Sequence, residues 1–328
     1  MRGVRAAPIA IGLAVALTAV TAMIGCASKP PPVAARAAAE PHWQDVFDTT
    51  PELLVVLRPQ ALKRDKVFGP LLRSAIDAAR RQSRVVAATR ALDTMEDAEE
   101  VVVGMRPDLP DHAGELVLVE RGVPADVDPE KLVDGDGHAL WAPGPTGNVP
   151  ELVRVAQAGG TPDEASLFEL PGRTWVIATG GARTRAREAF AHPFDRPPPK
   201  LDPDALAIVR IDGPSLVAHV APLQDRGGLA AVGHELRAVT LVLPPGGQGD
   251  VEARLAYRGD DAAALATVAL REAIGAVARA KPPGLAWLAG AEVDRPADGE
   301  VLLKAPLPSQ LVEALLHAGP GSLPAPAP

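Results

Sequence analysis

The sequence predicts an α+β fold of two tandem related units, each a mostly antiparallel sheet with helices packed on one face. Three features predict it. Short apolar runs come in pairs joined by connections rich in Gly, Pro and Asp, which suits antiparallel neighbours. Amphipathic helical stretches fall between those pairs rather than alternating with single strands. The pattern also recurs: "PELLVVLR" opens at Pro51 and "PDALAIVR" at Pro203, with Pro, Leu, Val or Ile, and Arg at equal offsets.

In the first half, the apolar run near 53–58 predicts a buried strand. Phe68, Leu71, Leu72, Ala75, Ile76 and Ala79 then share one helical face. Pro70 suits a first turn. A second helix is expected near 85–96, on Val85, Ala88, Leu92 and Met95. Strands follow at 100–105 ("EVVVGM") and 115–122 ("ELVLVERG"), then a short helix after Asp128-Pro129. "LVRVAQ", "SLFELP" and "TWVIATG" are further strands, and a helix is expected over Ala182 to Ala191.

In the second half, "AIVRI" leads to a helical region near 214–236, where Ser215 suits an N-cap. Strands at 238–244 and 250–259 form a hairpin across "PGGQG". A helix over Asp260 to Ala278 is expected to turn Leu265, Val268, Ala269, Ala273 and Val277 inward. Strands near 284–293 and 299–305 and a helix over Ser309 to Ala318 close the unit.

The ends of the chain have their own composition. Met1-Arg2-Gly3-Val4-Arg5 is a basic head, and Ala6 to Gly25 carries no charge. A basic head, an apolar core and small residues at its end read as a secretory signal over 1–25. Its rival is a membrane span, for which about 20 apolar residues are enough. The choice turns on "MIGC", which ends in the sole cysteine of the chain, Cys26. These residues resemble the lipobox of bacterial lipoproteins. Gly25 is the small residue before the cut, Ile24 an accepted neighbour, and Cys26 the acceptor of the lipid; Met23 stands where leucine is usual.

The resemblance implies cleavage between Gly25 and Cys26 and acylation of Cys26. Several acyl chains on one residue hold a protein firmly, since each buried methylene contributes about 0.8 kcal/mol. It also implies an envelope location. Ala27, where an Asp would retain the protein at the inner membrane, points to the outer membrane, facing the periplasm or the cell surface.

Residues 26–41 are a Pro- and Ala-rich tether, whose Pro30, Pro31 and Pro32 favour an extended spacer. Residues 42–194 form the first unit, 195–203 a Pro-rich linker, 204–318 the second unit, and 319–328 a tail with the composition of disorder.

Composition excludes several partners. The chain has a formal charge of −8, and loss of the leader would remove Arg2 and Arg5 but no acid. Such a body has no broad attraction for nucleic acid, which is bound by neutralising phosphates with Lys and Arg. With Cys26 lipidated no disulfide can form. Aromatics are only 3% of the chain, so stacking platforms for sugars or bases are scarce.

No catalytic constellation stands out. His234-Glu235 starts like a zinc-protease helix, but the second ligand position holds Ala238. Asp134 to His138 starts like a calcium loop, but its twelfth position holds Pro145. Ser215 lacks the second glycine of a hydrolase elbow. No cofactor and no metal ligands are expected. Trp43, Trp141, Trp175 and Trp287 read as packing anchors. The local basic cluster is Arg183, Arg185 and Arg187, after Gly180-Gly181, and it is the expected contact for an anion.

These readings lead to a non-catalytic, membrane-anchored envelope lipoprotein with a protein partner. The alternative is a carrier that binds a lipid or other hydrophobic ligand between sheet and helices. A hydrolase ranks third.

Overall fold

The computed structural model describes residues 41–47, 51–66, 68–70, 73, 91–106, 115–133, 137–155, 165–192, 204–214, 216–217, 232–245, 250–281 and 286–306. Cys26, Ser215, the tether, the helix expected at 309–318 and most of that at 68–79 lie outside these residues.

The described strands pair antiparallel and are accompanied by a few helices, an α+β architecture. The chain divides into two compact units. The N-terminal one comprises Thr18–Ala61 and Ile76–Asp202; the C-terminal one comprises Met1–Leu17, Leu62–Ala75 and Pro203–Pro328.

The N-terminal unit holds β1 (Leu53–Leu57), β2 (Glu100–Arg106), β3 (Glu115–Arg121), β4 (Trp141–Pro143), β5 (Glu151–Arg154), β6 (Ala165–Leu170) and β7 (Thr174–Thr179). Their order is β1-β2-β3-β7-β6-β5-β4. Helix α1 (Pro59–Arg64) follows β1, α2 (Ala91–Asp97) precedes β2, and α3 (Gly181–Ala191) follows β7. The strands form where the sequence offers β-branched runs: "EVVVG" in β2 and "TWV" in β7 are buried throughout.

Side chains alternate across a sheet, so the register sorts them. Glu120 of β3 lies beside Val101 and Trp175, on one face. Glu115 lies five residues earlier, on the other. The first face carries a core of Trp141, Leu152, Leu167 and Trp175, covered by Val123, Leu132 and Leu140 of the β3–β4 connection. The second face lies under α3, through Ala182, Ala186, Ala189 and Phe190, with Phe190 edge-on to Phe168 at 5.2 Å. Helices on one face only was the expectation, and here it fails. Thr94 of α2 meets Glu120 on the face opposite α3. Both faces of this sheet are apolar enough to need cover.

The C-terminal unit holds β8 (Ala207–Asp212), β9 (Leu236–Leu243), β10 (Asp250–Tyr257), β11 (Glu292–Asp294) and β12 (Glu300–Pro306), in the order β8-β9-β10-β12-β11. In both units three strands follow in chain order, and a closing hairpin is then added with its second strand innermost. Between third strand and hairpin, the N-terminal unit inserts β4 and β5, and the C-terminal unit inserts helix α4 (Asp260–Ala280). The strand expected near 284–293 is instead a 3-10 helix, Ala286–Gly290, followed by the short β11.

Helix α4 opens with Asp260 and Asp261, acids at the positive end of the helix dipole. Asp260 also accepts from Gly299 N at 3.3 Å and pairs with Arg295, fixing the helix start to the β11–β12 turn. The helix covers Ala253, Leu255, Tyr257, Val293 and Val301.

Its inward face differs from the one expected. Ala262, Ala263, Ala266 and Thr267 are buried, while Leu265 is 58% and Val268 56% exposed. Apolar residues encircle most of this helix, so periodicity alone leaves the stripe ambiguous. Small alanines win the contact because they let the helix approach the sheet closely, with Leu270 and Ile274 packing from the flank. Changing Leu265 or Val268 to Ser should therefore alter stability by no more than about 0.5 kcal/mol. Ala266→Leu should cost about 1–3 kcal/mol by overpacking. Urea unfolding midpoints check both.

Candidate functional site

The described residues bring together the basic cluster singled out from the sequence, together with partners the sequence does not reveal. After β7 the chain turns at Gly180, whose φ of 55° and ψ of −135° suit glycine, and enters α3. Arg183 and Arg187 are one turn apart on one flank of the buried alanine stripe. Arg185 projects from the other flank. Each flank meets a carboxylate rising from the sheet.

On the Arg185 side the guanidinium grips Glu115 of β3 in a two-pronged pair. Nη1 donates to Oε1 at 2.6 Å and Nη2 donates to Oε2. Arg106 Nη1 stands 4.0 Å from the same carboxylate. On the other side, Arg187 donates to Glu151 of β5, from Nε at 2.8 Å and from Nη2 at 2.6 Å. Ser166 of β6 donates its hydroxyl to Glu151 at 2.6 Å and accepts from Arg183 Nε at 3.0 Å. The Glu151 side chain is only 4% exposed. Burial pushes its carboxyl up. The hydrogen bonds from Arg187 and Ser166, with the charges of Arg187 and Arg183, outweigh that and hold it below the usual carboxylate range.

Chemically this is a clamp. Forked guanidinium–carboxylate pairs are strong and directional, and two of them straddle one helix. An outside anion would have to displace these carboxylates. The arrangement positions α3 on the sheet. Beside it, the 3-10 helix Trp43–Val46 brings Phe47 over Gly104 of β2, so close that a Cβ at Gly104 would lie 2.3 Å from the ring. Trp43 packs edge-on to Phe47 at 6.0 Å. The described residues begin here, at 41.

The other sequence candidates are placed as follows. Trp43, Trp141 and Trp175 are buried and Trp287 is partly buried, as packing anchors. Arg154 lies over the Trp141 ring at 5.8 Å. His234 and Glu235 line a shallow recess of about 320 Å³ with Gly259, Asp260, Asp261, Ala262 and Leu265. Among the described residues, no group of three or more His, Cys, Asp or Glu is placed to hold a metal ion. No described helix is long and apolar enough to cross a membrane.

One charged residue without any local signal in the sequence is Glu120. It has no exposed surface and no well-formed hydrogen bond to either carboxylate oxygen. A single acid near the end of "ELVLVER" reads as a solvent-facing position, and nothing local signals its burial.

No family model and no curated protein matches this chain. Two solved structures of TP0453 are similar to it: crystal form III at a TM-score of 0.43 and 9% identity, and crystal form I at 0.45 and 8%. Each covers 86% of this chain, with 100% and 99% of TP0453 covered. At these values the likeness carries no inference about activity or partner.

Proposed function

We propose that this protein is a non-catalytic lipoprotein of the bacterial envelope, anchored through acylated Cys26 and serving as a scaffold for another envelope protein. The observation that carries the reading is the sole cysteine, set after Gly25 at the end of a basic-headed apolar leader. The tether then spaces the body from the lipid, and the described residues of the body offer antiparallel sheet as a surface for a partner. The basic cluster supports the same reading, because its guanidiniums are engaged with Glu115, Glu151 and Ser166 inside one unit. Two related units are part of the proposal: the shared strand order supports an internal duplication, the second unit starting after the 195–203 linker. An outer-membrane address is the finer part, supported by Ala27.

The anchor has a direct test. In cells fed a clickable fatty acid, the wild-type protein should take up label and sediment with membranes. Cys26→Ser should lose all label and pass to the soluble fraction or stay as an uncleaved precursor. Label persisting on Cys26→Ser would refute the anchor. Crosslinking in intact envelopes tests the scaffold, which predicts one reproducible protein partner that is lost with Cys26→Ser.

A further inference from the structure

Glu120 lies inside the N-terminal unit on the sheet face that meets α2. Its strand neighbours there are Val101 and Trp175, with Glu169 next beyond Trp175. Thr94 of α2, itself 4% exposed, is the polar side chain that reaches it. The charged groups on the elements around this face are mostly acidic: Glu96 and Asp97 of α2, Glu99 before β2, Glu169 of β6, and Asp128 and Glu130 of the β3–β4 connection. The cations on this side in the described residues are Lys131, which pairs with Asp128 at 2.7 Å, Arg173, exposed in the β6–β7 turn, and Arg154, which lies three strands away over the Trp141 ring. Glu169 is itself pushed up by burial and by Asp128 and Glu130. Among the described residues, none of these cations is a counter-ion to Glu120.

An unpaired carboxylate in such a place is costly, whereas the neutral acid is tolerated. We propose that the seating of α2 on this sheet face is proton-gated: α2 packs down while Glu120 is neutral and loosens when Glu120 ionises. The inference stands apart from the anchoring proposal.

The direction follows from linkage. Burial pushes the Glu120 carboxyl from 4.5 up to about 8, opposed in part by the Thr94 hydroxyl. The seated state therefore holds the proton more tightly than the loosened state. Between the ordinary carboxylate value and about 8, the seated-to-loosened ratio should fall about tenfold per pH unit. Below that window seating is fully favoured, and above it the loss is complete.

Hydrogen exchange of the full-length protein tests this, after correction for intrinsic rates. Peptides covering 94–106 and 115–121 should lose about 50-fold in protection between pH 6 and pH 8, since the tenfold slope eases as the seated carboxyl begins to ionise near pH 8. Peptides from α4 should not change. Glu120→Gln should keep both peptides protected at both pH values. A wild-type carboxyl-carbon NMR titration needs no variant, and should place Glu120 well above the ordinary range. Equal pH slopes in wild type and Glu120→Gln, or a Glu120 carboxyl titrating at its ordinary value in the folded protein, would overturn the proposal.

Discussion

Glu151→Ala is expected to destabilise the N-terminal unit by about 1–3 kcal/mol, the cost of stranding a buried hydrogen-bonding group, with the ion-pair share discounted because the Arg187 side chain is 38% exposed. Arg187 would lose all three of its bonds to the carboxylate, and Ser166 would lose its acceptor. The cost arises mainly from the groups left behind. The fully buried Ser166 hydroxyl would remain without its acceptor, while the partly exposed Arg187 guanidinium would turn to water. Because a folded domain is stable by only about 5–15 kcal/mol, the loss is a large share of the total. Urea unfolding followed by tryptophan fluorescence measures it.

Two further variants separate pairing from packing. Arg187→Met, which removes the charge but keeps much of the stem, should cost at least as much as Glu151→Ala, because it leaves a carboxylate only 4% exposed without its main partner. The double variant should be milder than the sum of the two, since the partners share one network. Additive losses would mean that the clamp is not a unit. The pH dependence has a definite sign. Glu151 is held below its ordinary value, so its contribution is present above the unfolded carboxylate range and is lost as pH falls through the lowered folded value. The Glu120 effect runs the other way, its contribution being lost as pH rises from the ordinary carboxylate value to about 8.

How much of this was legible depended on the range of the interaction that decides each feature. Strands β2, β3 and β7 could be read directly, because "EVVVG", "LVLV" and "TWVIA" concentrate β-branched residues between turn signals. β4 was not anticipated. It is a three-residue strand at one end of the order, carries Pro143, and has no apolar run to announce it. The existence of α4 was clear, but its inward face was not, since alanine on every side leaves the choice to the sheet beneath.

The site shows the same dependence. Arg183, Arg185 and Arg187 form a visible basic cluster, yet Glu115 and Glu151 lie 70 and 36 residues away from the arginines they hold. A basic cluster in sequence therefore looks like free charge until the fold supplies its acids. Glu120 is the converse case. Its neighbours Val119 and Arg121 reveal nothing, and only α2 and β7 together make it a buried acid.

Gly213→Ala is expected to cost more than about 3 kcal/mol, beyond the usual range for an extra methyl group in a core. Gly213 follows directly on β8, and a Cβ there would lie 2.1 Å from Leu236 O and 2.5 Å from Leu236 C. Both are backbone atoms at the start of β9, so no rotamer change can relieve the contact. Relief requires β9 to move, and β9 is tied to β8 through Asp212↔Ala238 and Ile211↔Val239. Moving Leu236 also disturbs the core it shares with Tyr257 and α4. Gly275→Ala provides the contrast within the same unit. Gly275 is inside α4, and its added Cβ would meet only the end of Arg279, at 3.5 Å. There the same change should stabilise by about 0.5–1 kcal/mol, because alanine loses less backbone freedom in a helix. Opposite shifts in urea midpoint are the expected result. A loss below about 1 kcal/mol at Gly213, smaller than overpacking a rigid core costs, would mean that the β8–β9 junction yields easily, and that close backbone approach does not fix its register.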